Sequence, residues 1–208
     1  MNIFILPPMG LCGANSYIIA SEKGSAALVD APGNADFVLG EIQRRSLSLK
    51  MILLTHGHLD HIEAAAQLQK KSGCKVYIHS GDIAMLTDGR LNLANNMTGG
   101  VFERVDNALP LSDGDVLQLD ETQIKVMHTP GHTKGSVCYI AVDNMFSGDT
   151  LFRGSIGRTD FPGSDINAMR QSLKNLAALD KNYTVYPGHE DMTSLDFEKE
   201  NNYYLKKL

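Results

Sequence analysis

Tryptophan is absent from the 208 residues, and the only cysteines are Cys12, Cys74 and Cys138, odd in number and widely spaced. No CxxC pair occurs, so neither a disulfide framework nor a cysteine-built zinc ribbon is expected, and a reducing cytoplasm is the simplest compartment. No apolar run approaches the ~18–20 residues that a helical membrane span needs. Residues 3–6 are apolar, but no basic residue precedes them and Pro7-Pro8 interrupts them, so no secretory leader is expected. Basic residues are in the minority, 19 Lys and Arg against 24 Asp and Glu for a net charge of −5. The broad cationic surface that nucleic acid demands is therefore not expected either. Linkers, low-complexity tracts and like-charge blocks are missing too, which makes one domain over 1–208 the expectation.

What is present fits an ordinary globular chain, with 43% apolar and 21% charged residues. Short apolar runs at 16–20, 26–29, 51–54 and 75–78 read as strands, the third a continuous run of the kind buried on both faces. Phe37, Leu39, Ile42 and Leu47 fall on one face of a helix after Pro32-Gly33, and an alanine-rich helix over 62–70 stops at Gly73. The second half repeats the alternation, with strands at 122–127, 137–141, 145–147 and 184–186 and a turn at Asp143-Asn144. Ile166, Met169, Leu173, Leu176 and Leu179 share the face of a helix capped by Ser164 or Asp165, and a last helix covers 195–205. The span 80–110, rich in Asn, Gly and Met, shows no periodicity. Strands flanked by helices in each half imply an α/β chain whose sheet core is covered on its outer faces.

The densest chemistry follows the 51–54 run, as Thr55-His56-Gly57-His58-Leu59-Asp60-His61. Three imidazoles and a carboxylate beside an apolar strand are costly to bury without a ligand. Imidazole nitrogen and carboxylate oxygen are donors for zinc, iron and manganese, and a bound cation requires crowded histidines to be neutral. His132 (in Thr129-Pro130-Gly131-His132), Asp149 (in Ser147-Gly148-Asp149) and His189 (in Pro187-Gly188-His189) each follow an expected strand. Strand ends on one sheet edge can converge on a cleft. His79 and His128 are left over and read as structural, since Pro130-Gly131 forbids a helix that would set His128 and His132 on one face.

Together these motifs resemble the metallo-β-lactamase superfamily, and within it a short glyoxalase II-like hydrolase. HxHxDH matches 56–61, TPGHT 129–133, SGD 147–149 and PGH 187–189, in that order over nearly the whole chain. The resemblance implies a four-layer αββα sandwich with a two-metal site at the edge of the sheets. It places His56, His58 and His132 on one divalent ion, Asp60, His61 and His189 on a second, and Asp149 between them. Zinc is the expected metal, with iron and manganese admitted by the same donors. A metal-bound hydroxide, oriented by Asp60, would then attack a thioester or ester carbonyl without a serine or cysteine nucleophile. In the loop after Asp149, Arg158 and then Arg153 are the candidates to hold the carboxylate of an anionic thiol carrier.

The chain also departs from the pattern. Glyoxalase II proper continues into a helical domain that helps bind glutathione, whereas 19 residues follow His189 here, which points away from a glutathione thioester. Glu63-Ala64 stands where two glycines often follow the first motif, Glu190 follows the last histidine, and Lys134 replaces a frequent proline. Lactamases of the fold lack the SGD aspartate and so fit less well. Two alternatives stay open: a mononuclear iron persulfide dioxygenase using His56, His132 and Asp149, and a non-catalytic metal-binding module. The expected partner is a small-molecule thioester or ester, with neither nucleic acid nor membrane, and the sequence does not indicate an oligomeric state.

Overall fold

A computed structural model describes all of Met1–Leu208. Its first sheet contains, side by side in chain order, β1 (Asn2–Met9), β2 (Ala14–Ala20), β3 (Ser25–Val29), β4 (Ser48–Leu53), β5 (Lys75–His79) and β6 (Leu109–Leu111). β1 to β3 form an antiparallel meander, and β3 to β6 run parallel. The second sheet is built from β7 (Val116–Leu119), β8 (Thr122–His128), β9 (Val137–Ala141), β10 (Asn144–Gly148), β13 (Thr184–Pro187) and β14 (Thr193–Ser194). In it β13 lies parallel to β10. A small hairpin, β11 (Leu151–Phe152) with β12 (Ser155–Ile156), stands apart.

Period-two alternation sends each sheet's side chains to two different cores. Ile18, Ala26, Leu28 and Ile52 pack outward with residues of α1 (Ala35–Arg44), α2 (Leu59–Ile62) and α3 (Ala65–Ser72). Tyr17, Ile19, Ala27, Val29 and Leu53 face the second sheet, meeting Ile124, Val126, Tyr139 and Phe146. On that sheet's far side, Cys138, Met145 and Val185 pack on Met169, Leu173 and Leu176 of α5 (Ile166–Ala177). Leu195 and Leu205, from α6 (Leu195–Asn201) and α7 (Tyr203–Lys206), complete that layer. The order helix, sheet, sheet, helix is the αββα sandwich expected. Full burial of the three α5 side chains contributes roughly 5–9 kcal/mol before ordering entropy.

Several local readings need correction. β1 continues through Pro7-Pro8 with a register shift between Leu6 and Met9. It is an edge strand, where a missing N–H costs no ladder bond. In α1 the buried stripe is Ala35, Val38 and Ile42, while Phe37 is exposed and Leu47 lies beyond the helix. The helix read over 62–70 is two short ones broken at Glu63-Ala64, with Gly73 (φ +71°) ending the second in the left-handed conformation. The last helix likewise divides at Asn202, whose side chain caps α7. Asp165, not Ser164, caps α5 by accepting from the Asn167 and Ala168 amides. The aperiodic 80–110 span holds a 3₁₀ segment (Ser80–Leu86), α4 (Ala94–Met97) and β6. No helix is long and apolar enough to cross a membrane.

Candidate metal centre

β4, β8, β10 and β13 deliver their carboxyl ends to the same edge of the sandwich, and each is followed by a donor-bearing turn. The 55–61 segment leaves β4, His132 leaves β8, Asp149 leaves β10 and His189 leaves β13. Two backbone bonds lock these turns to one another, Val137 N to Thr55 O at 2.9 Å and Gly188 N to Gly148 O at 2.8 Å. A Cβ at position 188 would lie 2.8 Å from His61 Cε1 and collide with Asp149 Oδ1, so only glycine fits between the motifs. Asn15 Nδ2 donates to Pro187 O and Glu190 O, and the Tyr17 hydroxyl to Pro187 O at 2.7 Å, so β2 fixes the turn that carries His189.

The seven motif donors converge. His58 Nδ1 lies 2.9 Å from His132 Nε2, and His61 Nε2 lies 3.3 Å from His189 Nε2. Asp149 reaches both sides, with Oδ1 3.4 Å from His61 Nε2 and Oδ2 3.4 Å from His132 Nε2. Asp60 Oδ2 is 3.4 Å from His189 Nε2. Three overlapping groups, His56/His58/His132, Asp60/His61/His189 and His56/His61/Asp149, could each hold a cation, their donor atoms lying within 4.8 Å of one another. All seven are buried except His189, which is half-buried. His56 Nε2, His58 Nε2 and Asp149 Oδ1 have no hydrogen-bond partner although buried.

The surroundings decide which ring nitrogen is bare. His61 Nδ1 faces Asp30 Oδ2 at 2.9 Å, and His132 Nδ1 faces the Arg158 carbonyl at 2.8 Å. Both partners accept, so each Nδ1 holds a proton and Nε2 is the atom that faces the cluster, the one a cation can claim. The Thr55 hydroxyl donates to Asp30 Oδ2 and is left to accept from His56 Nδ1 at 3.1 Å, with the same result. Asp30 was invisible to motif reading. Its one signal was its place directly after an apolar strand, the setting Asp149 also has. Asp82, from the aperiodic span, was missed as well; its carboxylate accepts from Gly57 N, Thr133 Oγ1 and Gly135 N and so ties the first motif to the second.

Electrostatics separate the two halves. Burial, then the charges of His61, His132 and His58, pushes the His56 pKa well below its usual range. Burial and His132 push His58 down to about 3. His61 is the opposite case: burial would lower it, but Asp149, Asp30 and Asp60 raise it to about 10. Burial also works against the Asp60 carboxylate, yet His61 and His189 outweigh it and hold its pKa below the usual range. The His61 side thus has anionic charge waiting for a counterion, and a metal cation can take the place of the proton.

Above the cluster opens a cleft of about 480 Å³ whose lining includes His58, Asp60, His132, Asp149, His189 and Arg158. The Arg158 guanidinium is gripped by Asp160, Nε at 2.9 Å and Nη2 at 2.8 Å, so the carboxylate it holds is the chain's own. Arg153 stands outside the cleft lining, 3.8 Å from Asp191. Glu63 turns away to accept from Leu11 N and Gly33 N. His79 and His128 stack face to face, 3.9 Å between centroids and 13° between planes, away from the cluster.

The profile of the Metallo-beta-lactamase superfamily matches residues 9–189, from β1 to the last histidine of the cluster. The chain belongs to this superfamily. Among similar proteins, the hydroxyacylglutathione hydrolase GloC of Haemophilus influenzae is 33% identical, with 99% of this chain and 98% of GloC covered. The BLEG-1 B3 metallo-beta-lactamase superposes with a TM-score of 0.91 at 32% identity, covering 98% of this chain and 99% of BLEG-1. TTHA1623, solved in a di-iron-bound form, gives a TM-score of 0.86 at 34% identity, covering 97% of this chain and all of the other (100%). Membership of this metallo-hydrolase superfamily, whose members bind divalent metals, agrees with the unpartnered donors at the cluster.

Proposed function

We propose that the chain is a dinuclear metal-dependent hydrolase of a small thioester or ester. His56, His58 and His132 hold one divalent ion, Asp60, His61 and His189 the other, and Asp149 is shared. The observation that carries this reading is the set of buried donors without partners, His56 Nε2, His58 Nε2 and Asp149 Oδ1, at the foot of an open cleft. An unsatisfied buried polar atom costs ~1–3 kcal/mol, so three in one place call for a ligand. Imidazole and carboxylate donors in this ratio suit zinc, and the di-iron form of TTHA1623 makes iron the metal to test beside it.

Two divalent ions held there supply Lewis acidity, lowering the pKa of water toward neutrality and polarising a carbonyl oxygen. The chain's own groups do the rest. His56, His61 and His132, with each Nδ1 anchored, keep their Nε2 atoms aimed inward. Asp60 lines the cleft and is the carboxylate placed to orient an attacking water by accepting its hydrogen bond. Phe161 packs on His58 and His132 with ring centroids 5.4 and 6.0 Å away, shielding one flank from solvent. In the reaction the bond from acyl carbon to sulfur or oxygen breaks, a bond to the water oxygen forms, and the thiol or alcohol departs with a proton.

The kinship with GloC supports a thioester substrate. Similarity to BLEG-1 favours a second reading, a β-lactam amide, against which stands Asp149, the residue that the resemblance assigns to the hydrolase branch. The deciding experiment measures metal content and turnover on thioester, ester and chromogenic cephalosporin panels for the wild type, His58→Ala and Asp149→Ala. Two ions per wild-type chain and a roughly 10³-fold fall in thioester turnover in both variants are expected, since several kcal/mol of Lewis-acid stabilisation is lost. Undiminished turnover in either variant, or one iron per chain with oxygen uptake on a persulfide, overturns the reading.

A further inference from the structure

The cleft over the histidines has apolar walls. Leu93 and Met97 come from the segment around α4, and Phe152, Ile156, Phe161 and Pro162 come from the loop after Asp149. Two arginines reach the lining, and the Nε/Nη2 edge of each is taken by an aspartate. Asp88 takes Nε and Nη2 of Arg90 at 3.0 and 2.6 Å, as Asp160 takes those of Arg158 at 2.9 and 2.8 Å. A guanidinium recognises a carboxylate through a two-pronged edge, and in both cases an aspartate two residues away already fills the Nε/Nη2 one. No lysine lines the cleft.

Leu93 is the distinctive member of the wall. Its φ of +70° is a left-handed conformation that glycine adopts freely and a branched side chain does not. Asn92 enforces it: fully buried, its Nδ2 donates to Met85 O at 2.8 Å and its Oδ1 accepts from Ala94 N at 2.9 Å. The Asn92 carbonyl accepts from Leu59 N at 2.9 Å, next to His58. The wall is thus pinned to the metal-ligand segment itself, with an isobutyl group set where the backbone would favour a glycine.

We propose that this cleft takes a substrate that is apolar and uncharged around its scissile bond, and that Leu93 and Met97 determine that specificity. With the Nε/Nη2 edge of both arginines taken and apolar side chains around them, the cleft seats an uncharged thiol carrier better than the carboxylates of an anionic one such as glutathione. This separates the chain from the substrate that GloC's name carries. The inference rests on the hydrolase reading and narrows it. The bond cleaved is the acyl C–S bond, water supplies the oxygen on the acyl carbon, and the thiol leaves with the proton.

The test uses the metal-loaded full chain and two series, hexanoyl thioesters of N-acetylcysteamine (uncharged) and of glutathione (anionic). The wild type is expected to favour the uncharged series at least about tenfold in kcat/KM. Leu93→Gly removes the side chain while suiting the backbone. It is expected to melt within a few degrees of wild type while KM for the uncharged series rises about tenfold and kcat changes little, the size of effect apolar pocket contacts give. Asp160→Ala opens the Arg158 fork and is expected to raise kcat/KM on the glutathione series about tenfold. A wild type that prefers glutathione thioesters, or a Leu93→Gly chain with unchanged KM, overturns the specificity and leaves the hydrolase standing. No turnover of either series with two ions bound overturns both.

Discussion

Asparagine at position 30 changes one oxygen to an amide nitrogen and nothing else in shape. The wild-type carboxylate, 2% exposed, accepts from Thr55 N at 2.7 Å and Thr55 Oγ1 at 2.8 Å and faces His61 Nδ1 at 2.9 Å. In Asp30→Asn the amide oxygen keeps the Thr55 backbone bond, and the amide NH₂ takes the place of Oδ2, where it faces His61 Nδ1 and turns the Thr55 hydroxyl from donor to acceptor. Two donors cannot face each other, so His61 must accept at Nδ1 and carry its proton on Nε2. That nitrogen is the one 3.4 Å from Asp149 Oδ1 and 3.3 Å from His189 Nε2, and once protonated it cannot ligate. Loss of such a supporting partner weakens cation affinity ~10–100-fold, about 1.4–2.7 kcal/mol. The fold loses one charge-assisted bond, ~1.5–3 kcal/mol, which at ~2–4 °C per kcal/mol lowers the melting temperature by ~3–12 °C. Competition titration against a chelator gives the affinity, and long-range ¹⁵N–¹H correlation of the His61 ring gives the tautomer. Wild-type affinity, with the His61 proton still on Nδ1, would refute the reasoning.

Two further outcomes are expected. Gly188→Ala drives a methyl into the space beside His61 and Asp149, so metal content and turnover should collapse well before the chain unfolds; a fully metallated, active variant would show the turn to be more yielding than its packing implies. Burial and the neighbouring His128 pull the His79 pKa below 6.5, against the opposing pull of Asp113 and Asp115. The folded chain therefore binds that proton less tightly than the unfolded one, so the contribution is complete above about pH 6.5 and is lost as pH falls through the lower folded value. His79→Phe keeps a ring against His128 and should flatten the fall in melting temperature between about pH 7 and 5; an unchanged slope would place the acid sensitivity elsewhere.

The four motifs were legible because ligand chemistry restricts residue type and each ligand follows a short apolar strand. Their convergence follows once the parallel order of β8, β10 and β13 is known, which no single strand announces. Periodicity located α5 well, since Met169, Leu173 and Leu176 bury cleanly; in α1 it placed Ile42, Leu39 and Leu47 against the core correctly but took exposed Phe37 where Val38 is buried. The second layer of the site was hidden for a different reason. Asp30 and Asp82 act through backbone amides and hydroxyls far away in sequence, and those contacts exist only after folding. For Arg158 the sequence leaves two partners open, a substrate carboxylate or Asp160 two residues on, and the turn of the loop decides for Asp160.

Crystals of the full chain grown with metal and measured at the metal's absorption edge give the most direct test. Two anomalous peaks are expected, one among His56, His58 and His132 and one among Asp60, His61 and His189, with an Asp149 oxygen reaching each. A single peak, or metal bound elsewhere while these seven side chains surround none, would contradict the two-cation site.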